Sequence, residues 1–236
     1  IMGSMPSRSV HRAADLVPEL RRIKQTLGEA IDRGVRVGPF AINLVVHKSN
    51  PRFDDDFAAC VSEQVPYIIT SLGASRRVVE RVHDYGGRVF HDVTNIKHAR
   101  KAIAEGVDGI IAVCAGAGGH AGALSPFALI REIRAEYDGF LVAGGAISDG
   151  YALAGAIATG ADCGYVGTRF IATPESGVDD AFRQMIIESG ASDIFYTPWL
   201  SGVSGNFIRQ SFVLSGLDPD NLPPRDGSEV NAVGHK

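Results

Sequence analysis

Short apolar runs alternate with amphipathic segments along most of this chain, a rhythm that restricts it to architectures built from repeated strand–helix units. Strands are predicted at Phe40–Val46, Pro66–Ser71, Gly87–Val93, Gly109–Cys114, Phe140–Ala146 and Cys163–Thr168. Helices are predicted at Asp54–Glu63, Ser75–Tyr85, Asn95–Glu105, Ser125–Tyr137 and Ser148–Thr159, with a last one around Val178–Glu188. The strands are continuous apolar runs rather than alternating ones, as expected when both faces of a parallel sheet are covered. Most repeats are about 20–27 residues long, which suits tight βα units with right-handed crossovers. An amphipathic helix near Leu16–Leu27 precedes the first clear strand, so Ile1–Ser4 reads as the tail of one more.

Two architectures give this alternation, an eight-stranded (β/α)8 barrel and an open doubly wound sheet. The barrel is favoured because polar and glycine-rich positions end many successive strands: Asn43, Asp92, His120, Gly144-Gly145 and Gly167-Thr168. In a barrel such positions converge on one face, whereas an open sheet brings only its switch-point loops to a ligand. Six strands plus a remnant leave the ring incomplete, with its first strand missing from this sequence. After Gly190 the alternation stops, and residues 191–236 read as a lid or interface segment appended to a barrel over residues 1–190. Tyr196, Trp199 and Phe207 border a pocket or fill a core, and Asp226–Lys236 reads as a mobile polar tail.

With 236 residues and 45% hydrophobic content the chain can bury a full core, and its net charge of −4 comes without basic or acidic blocks. That argues against a nucleic-acid partner. No run approaches the roughly 18 apolar residues of a membrane span, and the start lacks a signal-peptide pattern. Cys60, Cys114 and Cys163 stand in apolar contexts without a C-x₂-C pair, so they read as small buried hydrophobes. The expectation is a soluble cytoplasmic protein; a homo-oligomer is allowed and no metal is expected.

The chemistry concentrates in Cys114-Ala115-Gly116-Ala117-Gly118-Gly119-His120-Ala121-Gly122, between a strand and a helix opened by Ser125-Pro126. Glycine lets backbone approach a ligand closely, and His120 can exchange a proton near neutral pH. His120 is therefore the candidate reacting group. His47 and His91 could line the same mouth; His11, His83, His98 and His235 look like surface residues. Gly116, Gly118 and Ala121 also match a loose G-x-G-x-x-A dinucleotide fingerprint, but no acid ends the next strand. The turns Gly144-Gly145 and Gly167-Thr168 follow the last two strands, where backbone N–H groups commonly hold a phosphate. Glycines serving only tight turns are the plainer alternative. Asn43, an amide in an apolar strand, needs a partner, which a cofactor ring edge or a backbone group would supply.

The glycine–histidine loop, Ala143-Gly144-Gly145-Ala146, Gly160-Ala161-Asp162, Val166-Gly167-Thr168-Arg169-Phe170 and Ser211–Leu217 together resemble the nitronate monooxygenases, formerly called 2-nitropropane dioxygenases. Flavin-dependent enoyl-thioester reductases and NADH:quinone reductases share much of the pattern. The resemblance implies a TIM barrel binding FMN, with its phosphate at Gly144, Gly145, Gly167 and Thr168. It places the flavin ring near Asn43, Asp92 and the loop Gly116, Ala117, Gly118 and Gly119, and makes His120 the base or proton donor. The implied reaction is oxidation of alkyl nitronates, or of nitroalkanes, by dioxygen. An NAD(P)H-dependent flavin reductase is the alternative, and a flavin-free phosphate-gripping lyase or isomerase a more distant one.

Overall fold

A computed structural model describes residues 1–47 and 49–224. Its strand order separates the two expected architectures. Seven strands form one sheet in the order β1-β2-β3-β4-β5-β7-β8, sequential as in a (β/α)8 barrel and without the reversal that defines a doubly wound sheet. The chain divides into two compact units, Ile1–Ile111 and Ala112–Lys236, and β5 (Gly109–Val113) runs from one into the other.

The first unit carries β1 (Gly3–Pro6), α1 (Leu16–Asp32), β2 (Phe40–Val45), α2 (Phe53–Ser62), β3 (Tyr67–Ser71), α3 (Arg76–His83), β4 (Arg88–Val93) and α4 (Ile96–Glu105). The remnant strand expected at Ile1–Ser4 lies two residues later and pairs in parallel with β2, Gly3 opposite Phe40 through Pro6 opposite Asn43. Parallel registers continue with Asn43 opposite Ile69 and Ile69 opposite Phe90. Because side chains alternate along a strand, Asn43, Ser71 and Asp92 share one face and Thr70 and His91 the other. Apolar residues supply most of both faces: Ile42, Leu44, Ile68, Ile69 and Val89 are all buried. Each such side chain contributes about 1.5–3 kcal/mol on burial. α3 buries Val78, Val79 and Val82, the i, i+1, i+4 stripe its sequence predicts. α4 begins where Asn95 Oδ1 accepts the His98 N–H at 3.0 Å, and it stops at Gly106, which adopts φ +87°.

The second unit carries β6 (Gly119–His120), α5 (Pro126–Arg134), β7 (Phe140–Gly144), α6 (Gly150–Ala158), β8 (Cys163–Tyr165), α7 (Thr168–Ile171) and α8 (Asp180–Glu188). It ends in β9 (Ile194–Thr197), β10 (Gly205–Ile208) and α9 (Arg209–Leu214). β7 and β8 are parallel, Gly144 opposite Tyr165. The expected strand through Thr168 stops at Tyr165, and Thr168 instead opens the single turn α7. Gly164 and Gly167 weaken the extended state there, since glycine loses more conformational freedom than any other residue.

The segment read as a lid contains an antiparallel hairpin, Gly205 opposite Thr197 through Ile208 opposite Ile194. Its core is aromatic. Phe212 is fully buried and meets Phe195 edge-on at 4.8 Å, Trp199 at 5.8 Å and Phe207 at 6.1 Å between ring centroids. Trp199 Nε1 donates to Pro223 O at 2.7 Å. Trp199 and Phe207 are therefore core residues of this hairpin. The tail expected at 226–236, and His235 within it, lies outside the described residues. Among the described residues no helix is long and apolar enough to cross a membrane.

Candidate functional site

In the first unit, the C-terminal halves of three consecutive strands bring polar side chains together on one face. Asn43 Nδ2 donates to Ser71 Oγ at 2.8 Å and, at a long 3.4 Å, to Asp92 Oδ2; Ser71 Oγ donates to Asp92 Oδ2 at 2.5 Å. The other carboxylate oxygen, Asp92 Oδ1, is buried without a protein partner. Burial pushes the Asp92 carboxyl up to about 6, although the hydrogen bonds from Ser71 and Asn43 pull the other way. Sequence reasoning singled out Asn43 and Asp92 but missed Ser71, the last residue of β3, which shares their face. Leu72, the next residue, sits at φ +59°, a left-handed conformation uncommon outside glycine and asparagine. His91 takes no part in this cluster. It is buried on the opposite face with Nδ1 2.7 Å from Thr70 Oγ1, and burial pushes its imidazole down to about 4. The mouth-lining role considered for it is thus replaced by a packed one.

The Asp92 shift predicts a pH signature. Below about pH 4 the carboxyl holds its proton in both the folded and unfolded chains. Between about 4 and about 6 only the folded chain keeps it, so stability falls as pH rises through that window and stays lowered above it. A rise from 3.8 to about 6 corresponds to about 3 kcal/mol. In urea unfolding measured from pH 4 to 7, Asp92→Asn should remove that slope relative to the parent chain. Parallel curves for the two proteins would refute the assignment.

In the second unit, the loops after β5, β7 and β8 meet. Ala146 N donates to Gly116 O at 3.0 Å, and Cys114 N donates to Gly144 O at 2.7 Å. Gly145 adopts φ +137°, and a Cβ there would fall 2.9 Å from Ala115 O, so only glycine fits that turn. A Cβ on Gly118 would fall 2.2 Å from Thr168 Oγ1, which places the Thr168 hydroxyl against bare backbone. Ala146 holds φ +54°, a strained value for a residue with a side chain, at the same turn. Gly116, Gly118, Gly144, Gly145, Gly167 and Thr168 are thereby gathered as the sequence suggested, with Ala117 and Gly119 in the same loop. α6 follows, capped by Asp149 Oδ1 accepting the Ala152 N–H at 2.8 Å.

His120 lies on the short strand β6, exposed, with Nε2 2.8 Å from Ser201 Oγ in the turn of the C-terminal hairpin. Burial of part of the ring lowers its pKa from the ordinary imidazole value, which favours the neutral form at pH 7. Asn206 Nδ2 donates to Ala117 O at 2.8 Å, and Tyr196 Oη donates to Ala121 O at 3.0 Å. Neither Asn206 nor Ser201 was picked out from the sequence, because each meets the loop across more than eighty residues of chain. Cys60 and Cys114 are buried thiols, pushed up to about 12 and about 11 by burial, and Cys163 is half-buried.

Comparison with known proteins gives a family for the chain. The family described as nitronate monooxygenase matches residues 25–218. A nitronate monooxygenase from Paraburkholderia phytofirmans is 32% identical over 182 residues, covering 72% of this chain and 50% of that protein. A structure of a FabK M276A mutant from Thermotoga maritima is 27% identical with a TM-score of 0.69, covering 83% of this chain and 64% of that one. A nitroalkane oxidase from Streptomyces ansochromogenes, 21% identical, gives a TM-score of 0.75 over 87% of this chain and 68% of its own, a likeness of fold. The fold is α/β of the TIM-barrel type, and the chain spans about half the length of the curated relatives it matches. With a family match over residues 25–218 and a relative 32% identical over 72% of its length, this chain belongs to the nitronate monooxygenase family.

Proposed function

We propose that the protein is an FMN-dependent oxidoreductase that oxidises alkyl nitronates, and also nitroalkanes, with dioxygen. The observation that carries the reading is the meeting of three glycine-bearing strand ends beside Thr168, with His120 on the same loop. Gly144, Gly145, Gly167 and Thr168 would hold the FMN phosphate through main-chain amides and one hydroxyl, a cradle that side chains would fill. Bound FMN supplies the electron acceptor that the polypeptide lacks. In the first unit, Asp92 Oδ1 offers a buried polar atom in need of a partner, which supports a ligand contact for the Asn43–Ser71–Asp92 cluster. His120, whose partly buried ring favours the neutral form, would take the proton α to a nitro group or, once protonated, steady the anionic nitronate oxygens. The reading also takes the protein as cytoplasmic, acting on a small molecule.

The test uses the complete protein, purified as it is made. It should carry visible flavin absorbance, release FMN on denaturation, and turn over ethyl- or propyl-2-nitronate in air without NAD(P)H. A colourless protein sinks the flavin reading. Flavin bleached by NAD(P)H, with nitronates inert, would establish the reductase alternative.

A further inference from the structure

We propose that Ser201 is the positioning residue for His120: its hydroxyl accepts the imidazole Nε2–H, so that Nδ1 is the nitrogen that exchanges a proton with substrate. The proposal deepens the function put forward above and rests on it.

The argument starts from the donors and acceptors around one hydroxyl. Ser201 Oγ lies 2.8 Å from His120 Nε2, donates to Val203 O at 3.2 Å and accepts the Val203 N–H at 3.4 Å. A serine hydroxyl has one proton and two lone pairs. If His120 carries its proton on Nε2, Oγ makes all three hydrogen bonds: it accepts from Nε2 and Val203 N and donates to Val203 O. If the hydroxyl proton instead points at Nε2, the bond to Val203 O is lost. The first arrangement satisfies more groups and leaves the Nδ1 lone pair free. The partner of one ring nitrogen fixes the protonation of the other.

The turn that carries Ser201 is itself fastened to the His120 loop. Ala121 N donates to Ser204 O at 3.2 Å, Gly118 forms a bridge with Asn206, and Gly202 N donates to Pro198 O at 2.8 Å. Contacts on both sides of the histidine thus hold the hydroxyl in register with the ring. In the proton-transfer step Nδ1 takes the proton from the carbon α to a neutral nitro group, and the C–H electron pair stays on the nitronate. The imidazolium formed keeps its Nε2–H on Ser201 Oγ.

The experiment pairs spectroscopy with kinetics on the complete protein. In ¹⁵N-histidine NMR, the His120 signal (assigned by its loss in His120→Gln) should report the Nε2–H tautomer. Ser201→Ala should mix the tautomers and, with a neutral nitroalkane as substrate, lower kcat on the order of 10- to 100-fold with little change in KM. Ser201→Thr, which keeps the hydroxyl, should restore both. An Nδ1–H tautomer in the parent protein, or an unchanged tautomer and kcat in Ser201→Ala, overturns the proposal. Full turnover in His120→Ala with the parent Nε2–H signal intact overturns the catalytic reading and the reactive role of Nδ1, while leaving the contact itself proven.

Discussion

Phe212→Ala should destabilise the second unit by about 3–5 kcal/mol and release the C-terminal hairpin from the histidine loop. The ring is completely buried and is the common neighbour of Phe195, Trp199 and Phe207. Truncation leaves a cavity that three rigid aromatic rings cannot close, so the transfer and cavity costs add. Beyond this aromatic core the hairpin is held by hydrogen bonds to the histidine loop, among them those of Asn206 and Tyr196. Its strands are four residues each, and an isolated pair of that length is marginal in water. Two measurements check the claim. Urea unfolding should give the lost stability, and hydrogen exchange should show faster loss of protection at the Ala121 amide, which is bonded to Ser204 O. Phe212→Leu, which keeps most of the volume, should cost much less. Unaltered protection at Ala121 in the alanine variant would show that the loop stands without the hairpin.

His120→Ala should lower kcat by about 10²–10⁴-fold, the usual contribution of one positioned acid–base group, while leaving the flavin spectrum in place. The expected separation of binding from turnover follows from geometry. The proposed phosphate cradle is made by the β7 and β8 turns, where Gly145 and Thr168 lie, whereas the imidazole is held by the hairpin through Ser201. Loss of flavin together with activity would show that the two parts are not independent. Steady-state rates with a neutral nitroalkane and with its preformed nitronate refine the result. If His120 serves mainly as a base, the variant should lose far more on the nitroalkane, since the nitronate has already given up its proton.

The repeated strand–helix order was legible because β5 and β7 are continuous apolar runs and β2 and β3 largely so, the mark of strands covered on both faces. The strand-end rule then picked out Asn43, Asp92 and the glycine turns without any knowledge of contacts. The same rule could have found Ser71, the last residue of the strand expected at Pro66–Ser71. β8 was read three residues too long, since Val166, Gly167 and Thr168 continue its pattern while glycine on both sides ends the extended backbone. The hairpin was hidden by Pro198, Gly202 and Gly205, which read as loop. Ile194-Phe195-Tyr196-Thr197, a run of β-branched and aromatic residues, was the signal that could have revealed it. Nothing local announces Ser201, because its partner lies 81 residues earlier.

The polar side chains on the two faces of β3 and β4 have a consequence for how this part of the chain can vary. Sliding either strand by one position would exchange Ser71 and Asp92 with Thr70 and His91, stranding an acid and an imidazole each in the wrong company. The alignment is therefore keyed by chemistry as well as by apolar fit. Length changes among relatives should collect in the turns at 72–75 and 84–87, and a single-residue insertion inside either strand should be purged.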